Sequence, residues 1–159
     1  MTASLTVATT RYLVLHLTDQ QLVMLPVDQL AEVFNLSLTQ IVSIPDLPRA
    51  VMGVCNWRGE VTWVVDLSYL LGFQPLFQKG FSQTIYKVVL LQVDNQYVGL
   101  VVPQVGEMIN CPDQQIQNTG LNNINTNLAR CLRGYFLNGD RQMVLAIDGR
   151  ALVQLLAGD

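Results

Sequence analysis

The stretch YLVLHLTDQQLVMLPVDQLAEVF, residues 12–34, is echoed by KVVLLQVDNQYVGLVVPQVGEMI, residues 87–109, and the reading of the chain follows from that pairing. Set ungapped with Tyr12 on Lys87, the two segments align Val14 with Val89, Leu15 with Leu90, Asp19 with Asp94, Gln21 with Gln96 and Val23 with Val98. The agreement continues through Leu25 and Leu100, Val27 and Val102, Gln29 and Gln104, and Glu32 and Glu107. A weaker echo places WVVDLSYLL (63–71) on LAIDGRALV (145–153), with Asp66 on Asp148 and Leu70 on Leu152. This second pair lies further apart than the first, so the second half carries a longer middle loop. Two copies are too few for a solenoid, and a pseudo-symmetric pair of lobes is the architecture they imply.

Within each half the apolar period is mostly two, which marks strands. Leu13, Leu15 and Leu17 alternate with Val14 and His16, a turn follows at Asp19-Gln20-Gln21, and Leu22 to Leu25 resumes the strand, so a hairpin is expected. From Val27 the spacing Val27, Leu30, Val33 and Phe34 fits either a helical turn or a bent strand. LTQIVSI reads as a strand, IPDLP as a loop, and VMGVCNW with EVTWVVDL as a hairpin closed at Arg58-Gly59. A short helix from Leu67 to Leu71 is expected to stop at Gly72. In the second half, strands flank Asp94-Asn95 and Asn138-Gly139, the Asn-rich stretch between Asn110 and Asn127 reads as a surface loop, and an apolar helix closes the chain. Short strands at regular spacing predict a mainly β fold of small antiparallel barrels, because closure removes exposed edges. The expected layout is a flexible N-terminus (1–11), then one domain (12–159). Within it, subdomain one covers about 12–72, a connection 73–84, subdomain two about 85–148 and a C-terminal helix 149–157.

Half of the 159 residues are hydrophobic and 13% are charged, well below the roughly 25% charge of an average soluble domain. Apolar surface left over by such a composition points to protein contacts, and so to a binding protein. A net charge of −3 with nine scattered Lys and Arg gives no basic stripe for nucleic acid. No apolar run reaches the roughly 18 residues of a membrane span, and the opening MTASLTVATTR lacks the pattern of a signal peptide, so a cytoplasmic location is expected. Cys55, Cys111 and Cys131 stand far apart, and His16 is the only histidine. That excludes an ordinary zinc set, so no metal or other cofactor is expected and the thiols are read as reduced core residues.

The segment GVCNWRGEVTWVVDLSYLLG, residues 53–72, resembles the CheW family of chemotaxis coupling proteins, whose mark is a G-V-x-N-x-R-G turn followed by an apolar strand ending in D-L. The segments VDQLAEVF, SIPDLP and GLVVPQVGEMI match further features of that family in order, and the resemblance runs from Tyr12 to Leu156. It implies two five-stranded SH3-like β-barrel subdomains around a shared apolar core, with short helices. It also implies a non-catalytic adaptor that couples chemoreceptor cytoplasmic tips to the regulatory domain of a CheA-type histidine kinase, recruited to membrane-associated receptor arrays without inserting into the membrane. Pilus-based or light-guided motility is included among the outputs such adaptors serve.

Carried over by position, the resemblance makes Arg58 the arginine of the turn, close to the receptor-binding groove, with Asn56 and Gly59 shaping that turn. Leu30 and Glu32 match the first V-x-E motif, and Val98, Val102 and Val105 match the second-half stretch, all as expected partner contacts. Trp57 and Trp63 read first as buried core aromatics, and beside the expected interface either is also a candidate partner anchor. Trp63 departs from the family's usual proline, and Pro103 from a frequent acidic residue, which bears on partner choice rather than fold. His16, opposite the leucines of its strand, reads as an exposed imidazole, and Asp66 and Asp148 as helix caps. Two other functions fit less well: a peptide- or ligand-binding barrel outside chemotaxis, and a cysteine-dependent enzyme, for which no nucleophile motif exists.

Overall fold

The computed structural model describes residues 8–76 and 84–158. Among these residues ten strands make two five-stranded sheets. They are β1 (Thr9–His16), β2 (Leu22–Pro26), β3 (Leu30–Ser37), β4 (Val51–Trp57), β5 (Glu60–Asp66), β6 (Ile85–Val93), β7 (Gln96–Val102), β8 (Gln104–Pro112), β9 (Leu132–Leu137) and β10 (Met143–Ile147). Among the described residues three α-helices accompany them: α1 (Leu67–Leu70), α2 (Thr126–Cys131) and α3 (Gly149–Leu156). The fold is mainly β, as the periodicity predicts.

The sheets do not follow the expected division of the chain at 72 and 85. One runs β8-β1-β2-β10-β9 and the other β3-β6-β7-β5-β4, so each is built from both halves. Each half leads with a hairpin, β1–β2 or β6–β7, that forms the centre of its own lobe; its next three strands are given to the other lobe. Exchanging β1 for β6, β2 for β7, β3 for β8, β4 for β9 and β5 for β10 turns one strand order into the other. The parallel pairs β2–β10 and β7–β5 arise from this exchange. The apolar composition is accommodated between the lobes: Leu13, Leu15, Val23 and Leu25 of one sheet meet Val65, Val89, Leu91 and Leu100 of the other in one shared core. The opposite face of each sheet curls around a smaller cluster, one including Val14, Met24 and Val144, the other Cys55, Val64 and Val88.

The sheets curl without closing into barrels. After β3 the chain takes a 3-10 turn at Leu38–Gln40 and pairs with β4 through an isolated bridge between Val42 and Val54; the second lobe repeats this between Gln117 and Tyr135. Both bridges need a glycine beside them. A Cβ on Gly53 would lie 2.2 Å from the Val42 carbonyl oxygen, and one on Gly134 would lie 2.6 Å from that of Gln117.

The pairing also corrects the ungapped repeat. Val23 and Leu25 correspond to Val98 and Leu100, as read, but Leu13 pairs with Leu25 whereas Val89 pairs with Leu100. Leu13 therefore corresponds to Val89 and Leu15 to Leu91, one residue later than the alignment of Leu15 with Leu90. The β1–β2 loop is one residue longer than the tight turn at Asp94-Asn95, both of whose residues have positive φ. A one-residue slip moves a side chain to the other face of a strand, and Leu90 indeed lies outside the shared core that holds Leu91.

Other expectations are met locally. Asp66 caps α1, accepting from the Tyr69 amide, and Asp148 caps α3, accepting from the Arg150 amide. Gly72, at φ +88°, follows α1. The Asn138-Gly139 hairpin forms, but as a longer loop in which Arg141, not Gly139, takes the positive φ. The stretch 110–127 is largely an exposed loop, as read, with regular structure at its ends: β8 runs to Pro112, and Asn125 caps α2 while donating to the Leu71 carbonyl. Residues 9–11 belong to β1 rather than to a flexible terminus. Most of the expected connection 73–84 lies outside the described residues. No helix among them is long and apolar enough to cross a membrane.

Candidate functional site: a clasped arginine beside an apolar groove

The β4–β5 hairpin closes with Trp57 opposite Glu60, leaving Arg58 (φ 50°) and Gly59 (φ 84°) as a two-residue turn in the left-handed region. That geometry follows the right-handed twist of the flanking strands. Asn56 sets it, its Oδ1 accepting the Gly59 amide at 2.9 Å. The turn projects Arg58 into solvent, with 71% of its side chain exposed, yet Arg58 is held on two sides. Its Nη2 donates to Glu32 Oε1 at 2.7 Å, and its guanidinium carbon lies 5.2 Å from the centre of the Trp57 ring. Trp57 in turn packs against Tyr97, with ring centres 5.0 Å apart. An exposed ion pair contributes about 0–1 kcal/mol, so the clasp does more to orient Arg58 than to stabilise the fold. Trp57 Nε1 is buried without a hydrogen-bond partner, a feature that costs stability and that core packing alone does not require.

Tyr97 also lines the next feature, an apolar groove of about 430 Å³ whose walls include Leu47, Pro48, Trp63, Val98 and Leu156. Trp63 and Val98 are partners on the parallel β5–β7 pair. Trp63 is 43% exposed, whereas Leu145, at the matching place in the other lobe, is 4% exposed. The difference comes from the chain before β4 and β9. In the second half it forms α2, whose Leu128 joins Leu145 in the core; in the first half it is a short irregular segment that leaves Trp63 uncovered.

The structure thus sorts the candidate residues into three groups. Glu32, Asn56, Trp57, Arg58 and Gly59 gather at the turn. Trp63 and Val98 stand in the groove, Val98 only 6% exposed. The remaining three belong to the core: Val102 has no exposed surface, and Leu30 and Val105 pack against the shared cluster. Val102 is therefore a packing residue and not a partner contact, because its strand turns it inward. Sequence reading missed Tyr97, which links clasp to groove across strands distant in the chain, and the groove wall supplied by α3.

The chemistry of the thiols runs against nucleophilic catalysis. Burial pushes Cys131 up to about 11, with nearby Asp148 adding to the shift; burial also raises Cys55, and burial with Asp113 raises Cys111. A reactive cysteine needs the opposite shift. Among the described residues no group of three or more His, Cys, Asp or Glu is placed to hold a metal ion.

Two lobes that exchange strands around one core, with an oriented arginine beside an uncovered apolar groove, define a binding module. Residues 11–157 match the family model described as CheW-like domain, and the chain belongs to that family. It is 30% identical over 114 residues to a probable chemotaxis protein CheW of Rhizobium etli, covering 72% of this chain and 70% of the relative. It is 33% identical over 115 residues to the chemotaxis protein CheW of Rhizobium meliloti, covering 72% of this chain and 64% of that longer relative. The crystal structure of the scaffolding protein TtCheW from Thermoanaerobacter tengcongensis shares the fold, with a TM-score of 0.72 at 24% identity over 88% of this chain and 89% of that one.

Proposed function

We infer that the chain is a non-catalytic chemotaxis adaptor that couples a chemoreceptor's cytoplasmic tip to a CheA-type histidine kinase. The observation that carries this reading is the Arg58 clasp in a CheW-family chain: an arginine fixed by Glu32 and Trp57 beside the Trp63 groove. A helical receptor tip would lay apolar side chains along Trp63, Val98 and Leu156, while Arg58 offers donors and a stacking face to its polar side. The kinase's regulatory domain binds elsewhere on the surface, so that one adaptor bridges both. Each contact needs only modest affinity, because an array of receptors supplies effective concentration. In this reading the protein works at the cytoplasmic face of the membrane, held there by its receptors.

The test is titration of a purified receptor-tip fragment against the wild-type chain and Trp63→Ala. Binding should weaken at least tenfold in the variant, while its melting temperature changes little. Unchanged affinity would remove the groove from the receptor site.

A further inference from the structure

The lobe exchange allows the clasp to be compared with its own internal counterpart. In the first lobe, the open end of the curled sheet is filled by Trp57 and Tyr97, and Glu32 holds Arg58 across it. The counterparts follow from the strand pairings. Gly53 corresponds to Gly134, so Asn138 stands where Trp57 stands; Val98 corresponds to Val23, so Leu22 stands where Tyr97 stands. Glu107 stands where Glu32 stands, each at the irregularity where its strand shifts register.

The same end of the second lobe is consequently open. Asn138 does not fill it, because its Oδ1 accepts the Asp140 and Gln142 amides and its Nδ2 donates to Gln142, folding the side chain into its own loop. A cavity of about 480 Å³ remains, with Val14, Leu22, Phe136 and Val144 among its apolar walls and His16, Glu107 and Asp140 among its polar lining. His16 is thus not a plain exposed imidazole. It is half-buried and packs on Gly106, where a Cβ would meet its Nε2 at 2.9 Å. Among the described residues Glu107 and Asp140 form no ion pair, the ion pairs there being Arg58 with Glu32 and Arg150 with Asp94.

We propose that this open end takes an arginine side chain presented by a protein partner, seated where the first lobe places its own Trp57 and Arg58. The charge is complementary: the lining includes Glu107 and Asp140 and, among the described residues, no lysine or arginine. The shape fits as well, since a three-carbon stem can lie on the apolar walls while the planar guanidinium reaches Glu107, as Arg58 reaches Glu32. This inference rests on the geometry of the two lobes and does not depend on the receptor reading of the first.

The experiment is an NMR titration of the isotope-labelled chain with N-acetyl-arginine N-methylamide, with the lysine and citrulline analogues run alongside. The expected result is saturable shifts in the amides of His16, Gly106 and Asn138–Gln142, absent with neutral citrulline and weaker with lysine. Affinity should drop at least fivefold in Glu107→Gln and vanish in Asn138→Trp, which rebuilds the first lobe's plug. The proposal is overturned by shifts that do not saturate or lie elsewhere, by equal binding of citrulline or lysine, or by full affinity in Glu107→Gln, a variant of unchanged size that guards against misfolding. It falls equally if those amides shift with protein concentration alone, because the occupant is then a second copy of the chain.

Discussion

Arg58 sits in a conformation its own residue type disfavours. At φ 50° in a two-residue hairpin turn, asparagine is the better local choice, and Asn-Gly is the preferred pair. Arg58→Asn should therefore leave stability unchanged or raise it by about 0.5 kcal/mol, with the guanidinium lost; chemical denaturation measures the first effect and receptor-tip titration the second. A clear loss of stability would make the clasp a structural device instead. Glycines separate in the same way. Gly53→Ala drives a Cβ into the Val42 carbonyl and should cost roughly 3 kcal/mol, whereas at Gly59 nothing lies within 4 Å of the added atom and only the positive φ resists, at about 1 kcal/mol. At this scale much was legible from the residues. The Arg58-Gly59 turn and the capping roles of Asp66 and Asp148 depend on neighbours a few positions away. Tyr97 was not, because its contact with Trp57 joins strands far apart in the chain.

At the level of elements, α3 is held at its start by several groups. Asp148 accepts from the Arg150 amide and from Gln29 Nε2, Gln29 Oε1 accepts the Gly149 amide, and Arg150 pairs with Asp94 on the β6–β7 turn. The far end of the helix forms the groove wall at Leu156. Asp148→Ala should cost about 1–2 kcal/mol through the lost cap, visible as a lowered unfolding midpoint, and should weaken receptor binding beyond what the stability loss explains. Normal binding by the folded variant would show that the helix does not shape the groove. The hairpins and helices were readable from periodicity and turn residues. Two features were hidden: the slip of one residue between β1 and β6, which an ungapped comparison cannot detect, and α2, whose Asn-rich surroundings carry no apolar period although Asn125 and Asn127 tie it to the carbonyls of Leu71 and Leu70.

For the molecule as a whole, the exchange of strands makes the two lobes one folding unit, since neither sheet exists without both halves. Leu25→Asp, at a fully buried position in the shared core, should unfold the entire chain rather than one lobe; circular dichroism retaining half the signal would contradict that. The thiols give a matching pH dependence. The folded chain holds Cys131 protonated up to about 11, above the ordinary value of 9.0, so the unfolded chain loses its proton first. Stability from this group is complete below about pH 9 and falls as pH rises towards 11, and thiol reagents should label Cys131 only after denaturation. The repeat made two lobes legible from sequence; which strands each lobe holds was not, because pairing between halves leaves no mark on local periodicity. The proposed coupling of a receptor to a kinase runs through the oriented Arg58. Its most direct test is a pull-down from lysate of the source cell with the wild-type chain and Arg58→Glu, retained proteins being identified by mass spectrometry. The expected result is recovery of a CheA-type kinase and a chemoreceptor by the wild type, with the receptor alone lost from the variant; recovery of neither, from cells shown to express both, would contradict it.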